Sequence, residues 1–241
     1  MISKQISRHQ IASKTPPSKT KTYSPVAHSH LINLILEAKE TFNLTLYEEN
    51  YVVDKWWDKM VGIFTFDSDK EYGKSVAIGN SYDKSRAVSA AVGGVVFICT
   101  NGMFTGEYTF KRKHTGSVNQ EVKDFINETF YNMFETEEVI DKFISSSKDT
   151  MLSAHQIYKI LGELFVRYEV LNTPQLNKVK NLLYEDDDFK DLKKGNFLDL
   201  ESYDTSLWEV YNHCTEALKT SNSNDYIRKH VALHNYFNSL V

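Results

Sequence analysis

Four short clusters hold most of the side chains that could do chemistry. His28 and His30 stand one residue apart, Asn80-Ser-Tyr-Asp-Lys-Ser85 forms a polar turn, Thr100-Asn-Gly-Met103 follows the most apolar segment, and Lys111-Arg-Lys-His-Thr115 is a basic step. The basic step is the sharpest of them. In an extended strand Lys111, Arg112 and Lys113 place cations on both faces, and Thr115 adds a hydroxyl, a set that suits phosphate oxygens. Tyr82, Phe104, Tyr108 and Phe110 are nearby stacking surfaces for bases. Lys111, Arg112, Lys113, His114, Asn80 and Asn101 are therefore the candidate nucleic-acid contacts, with His28, His30, Ser81, Asp83 and Thr115 as a second polar set. In a catalytic reading, His28, His30, Asp83 and His114 would serve as general acid and base or gather at a metal.

Each cluster also has a plainer reading. The two histidines flank a helix start, Asn80 and Asp83 are ordinary turn formers, and Asn101-Gly102 is a turn signal in itself. Cations along an edge strand discourage edge-to-edge pairing. Cys99, inside an apolar strand, reads as a packed small hydrophobe rather than a reactive thiol. No nucleophile–base pair is marked. Phosphate-loop, dinucleotide, His-Glu-x-x-His, Cys-x-x-Cys and Gly-x-Ser-x-Gly patterns are all missing, so no cofactor and no metal site are expected.

The elements that must position these clusters follow from periodicity. His28–Phe42 carries Leu31, Ile32, Leu34, Ile35 and Ala38 at helical spacing, with Ser29 as the expected N-cap. Met60–Phe66, Ser75–Ile78, Ala87–Cys99 and Tyr108–Lys111 read as strands. They predict an antiparallel meander of about four or five, with a bulge or close approach at Gly93-Gly94. After Gly116 the period becomes 3.6: Val118, Val122, Ile126 and Phe130 make one stripe, broken near Glu137. Further helices follow, opened by Ser153, by Thr173-Pro174 and by Thr205, and a last one covers roughly 225–240. The expected class is α+β: an N-terminal antiparallel meander sheet with a flanking helix, then an all-helical C-terminal half. The expected division is a flexible basic arm over 1–25, a sheet region over 26–116 and a helical region over 117–241.

Composition narrows the function without naming it. Of 241 residues 41% are apolar and 25% charged, an ordinary globular balance, and two cysteines cannot build a disulfide framework. No apolar run reaches the roughly 20 residues of a membrane helix, no signal-peptide core follows Met1, and so few cysteines fit a reducing compartment best. The net charge of −4 excludes a globally basic nucleic-acid binder but not a local basic strip. Charge is uneven: 1–116 hold 15 cations and 11 acids, while 117–205 hold 10 and 18. The acidic run Glu185–Asp188 is most simply a solvated loop.

The same clusters resemble a known group, the phage/plasmid-like proteins of the uncharacterised domain family numbered 932. Pro25-Val-Ala-His28-Ser-His30, Ile78-Gly-Asn-Ser-Tyr-Asp-Lys-Ser85, Val95-Val-Phe-Ile-Cys-Thr-Asn-Gly102 with Phe104, Arg112-Lys-His-Thr115 and Leu207-Trp-Glu-Val-Tyr-Asn-His-Cys-Thr215 carry the resemblance in order. Tyr82 stands where that group often has His, which weakens any proton-transfer role built on that position. The resemblance implies a phage- or plasmid-encoded protein of DNA metabolism in a bacterial cytoplasm, with no agreed activity. The outline is also similar to phage single-strand annealing proteins, an analogy of fold alone. The leading expectation is a non-enzymatic protein that binds single-stranded DNA and anneals it as a homo-oligomer. The alternatives are a counter-defence protein that binds a host protein and a histidine- or metal-dependent enzyme acting on nucleic acid or nucleotides.

Overall fold

The β-branched and aromatic runs pair in chain order. In the computed structural model, which describes residues 4–68, 70–96, 101–185 and 204–241, six antiparallel strands form one meander. They are β1 (Lys4–Gln5), β2 (Leu46–Val53), β3 (Lys59–Phe66), β4 (Tyr72–Ser81), β5 (Val88–Val96) and β6 (Asn101–Arg112). The α+β expectation holds. β2 goes beyond the strands read from sequence, and β4 and β6 outrun their expected spans. The β5–β6 ladder slips at the glycine pair: Ala91 faces Thr109, but Gly93 faces Phe104. Cys99 lies outside the described residues.

One sheet face is covered by two helices, α2 (His28–Thr41) and α3 (Val118–Glu135). Their stripes of Leu31, Ile35, Val122, Ile126 and Phe130 pack on Tyr51, Phe64, Val76, Ile78, Val88 and Val92. The opposite face buries Val61, Ile63, Ala77, Ala91, Val95 and Phe104 under Tyr226, Ile227 and Val231. The N-cap of α2 is Ala27 rather than Ser29, and it contributes no side-chain bond.

Residues 4–25 are not a free arm. They add β1 to the sheet edge opposite Val52 and Val53, then form a short helix, α1 (Arg8–Ala12), opened by a capping box between Ser7 and Gln10. The Arg8 guanidinium grips Glu49, Lys14 pairs with Asp58 at 2.8 Å, and Ile11 and Tyr23 are buried. Few apolar residues are enough here, because ion pairs and caps supply the remaining contacts.

The chain divides into two units, 1–138 with 221–231, and 139–220 with 232–241. The boundary expected at 116/117 therefore moves past α3, whose apolar stripe belongs to the sheet. The second unit contains α4 (Glu137–Asp149) from Val139 on, the small pair β7 (Met151–Ser153) and β8 (Asp204–Ser206), α5 (Ala154–Gly162), a π-helical turn over Glu163–Arg167 and α6 (Thr173–Glu185). It also takes α7 (Leu207–Leu218) and the end of α8 (Tyr226–Asn238). Ser206, not Thr205, caps α7, in a capping box with Glu209, while the Thr205 hydroxyl donates to the same carboxylate at 2.5 Å. Phe143, Trp208, Tyr211, His234 and Phe237 stack into an aromatic core.

Candidate nucleic-acid interface

The meander brings three turns to one end of the sheet. Val53 ends β2 and Lys59 begins β3, Ser81 ends β4 and Val88 begins β5, and Arg112 ends β6 opposite Val88. The first two turns are closed by their own polar groups. Asp54 accepts the Lys59 N–H at 3.1 Å in the first, and in the second the Ser81 hydroxyl donates to the Arg86 carbonyl at 2.9 Å and accepts its N–H at 3.0 Å. The N-terminal segment runs across the same end. Lys14 donates to the Trp56 carbonyl at 2.8 Å, the Tyr23 hydroxyl lies 3.3 and 3.2 Å from the Ser81 and Tyr82 carbonyls, and the Ser24 N–H donates to the His114 carbonyl at 2.9 Å.

Beneath these turns sits a buried polar knot. Asn80 shares a face with Val76 and Ile78, the face under α2, and its amide donates to the Val26 carbonyl at 2.8 Å and to His28 Nδ1 at 2.9 Å. His28 Nε2–H then donates to the Trp57 carbonyl at 3.2 Å, which fixes the neutral tautomer. The His28 ring stacks on Tyr82 at 4.0 Å, and the Tyr82 hydroxyl accepts the His28 N–H at 2.8 Å, doing for the first turn of α2 what an N-cap side chain would do. Burial pulls the His28 pKa down to about 4 against the opposing effect of the Trp57 carbonyl, and pushes Tyr82 up to about 12. His114 is also buried, and burial lowers its pKa against the nearby Ser24 and Arg86 backbone. Neither of its ring nitrogens has a partner of hydrogen-bond geometry among the described residues, and neither does Asn80 Oδ1.

Around the knot the surface is basic. The four segments 14–24, 54–59, 81–86 and 111–115 carry ten Lys and Arg against three Asp, in a chain whose net charge is −4. Two of the three acids are paired, Asp58 with Lys14 at 2.8 Å and Asp83 with Lys59 at 3.0 Å. Burial opposes ionisation of Asp83, but hydrogen bonds from Ser85 and the Lys59 ammonium outweigh it and hold the carboxyl below its usual range. Lys19, Lys21, Lys55, Lys84, Lys111 and Lys113 are exposed and form no ion pair among the described residues. Lys84 lies 4.9 Å over the Tyr23 ring and Lys55 4.9 Å over Trp56. Trp56 itself, at the tip of the β2–β3 turn, is 66% exposed.

The expected residues thus separate. His28, Asn80, Ser81 and His114 are all buried; the first three hold backbone with their side chains, while the His114 ring lies beside Tyr23 without a hydrogen-bond partner among the described residues. Lys111 and Lys113 are exposed at the rim with Thr115, and Asp83 is engaged with Lys59 and Ser85. His30, half-buried on α2, takes no part in the knot. Asn101 cannot join the others: it pairs with Val96 while Arg112 pairs with Val88, which puts it about 27 Å away at the far end of the sheet. The Asn101 and Arg112 side chains lie outside the described residues. Tyr23, Trp56, Trp57 and Lys84 had not been singled out as site residues. The sequence signals for them are a Trp pair set in a polar turn and, for Lys84, its place in the Asn80–Ser85 cluster. Among the described residues no three His, Cys, Asp or Glu side chains gather as a metal would need.

A family model described as a domain of unknown function, DUF932, matches residues 57–235, about three-quarters of the chain. The chain belongs to the DUF932 family. The DUF932 match includes the β4–β5 turn, the Lys111–Thr115 step and α7, and it begins inside the β2–β3 turn, so His28 and the segment bearing Lys14 and Tyr23 precede it. No curated protein and no solved structure matches the chain. None of the described helices is long and apolar enough to cross a membrane.

Proposed function

We propose that this protein binds single-stranded nucleic acid along the basic rim, as a non-enzymatic component of the DNA metabolism of a phage or plasmid. The observation that carries the reading is the gathering of six exposed lysines, unpaired among the described residues, with an exposed tryptophan at one end of one sheet, in a chain that is acidic overall. Lysines of this kind hold phosphates and a free indole stacks a base, the two contacts that general single-strand binders combine. In this reading Lys84, Lys111 and Lys113 track the backbone and Trp56 stacks. Asn80 and His114 are buried and leave the contact set; Asn80 and His28 act instead as supports, holding the Val26 and Trp57 carbonyls beneath the turns that display the lysines. The acid–base alternative gains no support: both His28 nitrogens are engaged, Asp83 is ion-paired and His30 stands apart.

The test is binding of a labelled single-stranded oligonucleotide across a salt series. Four phosphate contacts on a single strand give a log–log slope of about −3. Simultaneous replacement of Lys84, Lys111 and Lys113 by Ala should make the slope shallower by about two units. Salt-independent binding, or no binding at low salt, would overturn the proposal.

A further inference from the structure

Helix α3 presents two different faces. Val118, Val122, Ile126, Phe130 and Met133 are buried against the sheet. On the opposite side Asp124, Glu128, Tyr131 and Glu135 recur at helical spacing, which lays them in one exposed stripe pointing away from the sheet. Tyr131 is 67% exposed, and Phe134, beside the stripe, is 38% exposed. Phe42, just past α2, backs both rings at 5.2 and 5.9 Å between ring centres. Asp124, Glu128 and Glu135 form no ion pair among the described residues, and Lys123, the cation of α3, reaches Glu37 of α2 at 3.9 Å. An aromatic ring between unpaired carboxylates offers what a single strand offers, a base between phosphates.

We propose that a second copy of this chain docks its basic rim on the α3 stripe, head to tail, so that copies without nucleic acid shield the rim and a bound single strand releases them. The rim complements the stripe in charge and in ring, with its exposed lysines and Trp56. The lengths agree as well. Three and a half strand spacings, about 17 Å, separate the β2–β3 turn from β6. Asp124 lies about 16 Å from Glu135 along the helix axis. Rim and stripe of one copy cannot meet, because the stripe points away from the sheet whose end bears the rim. The contact is heterologous, so each copy keeps one free rim or stripe for the next and assembly continues past the dimer. It is also electrostatic and exposed, hence weak and sensitive to salt. The release by nucleic acid rests on the function proposed for the rim; the contact between copies does not.

Sedimentation of the full chain tests it. At about 0.01 M salt, where charges act over roughly 30 Å, the average mass should rise with concentration past that of a dimer. At about 1 M salt, where they act over roughly 3 Å, it should fall to the monomer. Asp124→Asn, Glu128→Gln and Glu135→Gln together should leave a monomer at low salt, and so should Lys84→Ala, Lys111→Ala and Lys113→Ala together. All six side chains are exposed, so both variants should keep the parent's circular dichroism. Mixed, the two variants should form a one-to-one pair and stop there, since one intact rim and one intact stripe remain. A thymidine hexanucleotide should return the wild type to monomers and bind the stripe variant at least three-fold more tightly than the wild type at low salt. A wild type that stays monomeric at low salt overturns the proposal and leaves the stripe to a different basic partner. Association that survives in either variant, or a mixture that stays monomeric, also overturns it. So does a hexanucleotide that binds and leaves the mass unchanged. A hexanucleotide that does not bind even the stripe variant overturns the function proposed for the rim, and the release with it, while the mixture still decides the contact between copies.

Discussion

The knot around His28 and the rim around Trp56 occupy the same end of the same sheet, and polar residues build both. In the knot the polar atoms of His28 and Tyr82 and the Asn80 amide nitrogen are spent on each other and on backbone: Asn80 holds His28, His28 holds the Trp57 carbonyl, and Tyr82 takes the first N–H of α2. At the rim six lysines have no such partner among the described residues. A buried polar group must be satisfied inside the protein or cost stability, whereas an exposed cation keeps its bonding capacity for something from outside. The knot should therefore answer to stability measurements and the rim to binding measurements.

The largest effect should come from the knot. Asn80→Ala leaves the Val26 carbonyl and His28 Nδ1 without a donor in a buried place, and should cost about 3 kcal/mol in urea unfolding. Oligonucleotide affinity of the folded fraction should stay within a factor of two. A ten-fold loss of affinity in a folded Asn80→Ala protein would mean that the knot touches nucleic acid after all.

Acid should act on the knot in the same way. The folded pKa of His28 is lowered to about 4, while the unfolded value is near 6.5. Between these values the unfolded chain binds a proton that the folded chain refuses, so stability is full above about pH 6.5 and falls with pH down to about 4. The slope is about 1.4 kcal/mol per pH unit, with a ceiling of roughly 3 kcal/mol for this one residue. His234, buried in the aromatic core of the second unit and also lowered to about 4, adds a similar dependence to that unit. Stability against pH for His28→Asn should lose the first unit's share; an unchanged profile would show that His28 is not held neutral.

At the rim the expected loss is of affinity. Lys84, Lys111 and Lys113 changed together to Ala should weaken binding at 0.1 M salt by about 2 kcal/mol, while the urea midpoint shifts by less than about 0.5 kcal/mol equivalent. Trp56→Ala, with one stacking contact removed, should lose about 1 kcal/mol and leave the salt slope unchanged. A changed slope would place Trp56 among the electrostatic contacts instead.

Much of this fold could be read from the sequence, and the separation of knot from rim could not. Helices α2 and α3 were legible because Leu31, Ile35, Val122 and Ile126 recur at 3.6, and the bulge at Gly93-Gly94 because glycine pairs interrupt strands. The N-terminal segment was read as a free arm because Ile6, Ile11, Tyr23 and Val26 are too far apart to show a period, and the bonds that fix it are ion pairs and caps between distant residues. Asn80 and Asp83 looked alike as turn formers. β4, however, runs on through Ser81, and strand alternation then puts Asn80 in register with Val76 and Ile78 on the buried face, which makes one residue core and the other surface. Asn101 was grouped with the basic step because both end strands, but the ends of one strand are the two opposite ends of a sheet.

The smallest change tests the comparison most finely. Tyr82 belongs to both regions in sequence, since it opens the turn that carries Lys84, yet its ring stacks on His28 and its hydroxyl accepts the His28 N–H. Tyr82→Phe keeps the ring and the stack and removes only the acceptor, so a buried N–H at the start of α2 loses its partner. The cost should be about 1 kcal/mol of stability, at the low end for a buried donor left bare, because the helix end can shift toward water. If Tyr82 is a support, affinity and salt slope both stay at the parent values while the urea midpoint falls. If affinity falls and the midpoint holds, the hydroxyl reaches the ligand, and the boundary between knot and rim would run through Tyr82 rather than beyond it.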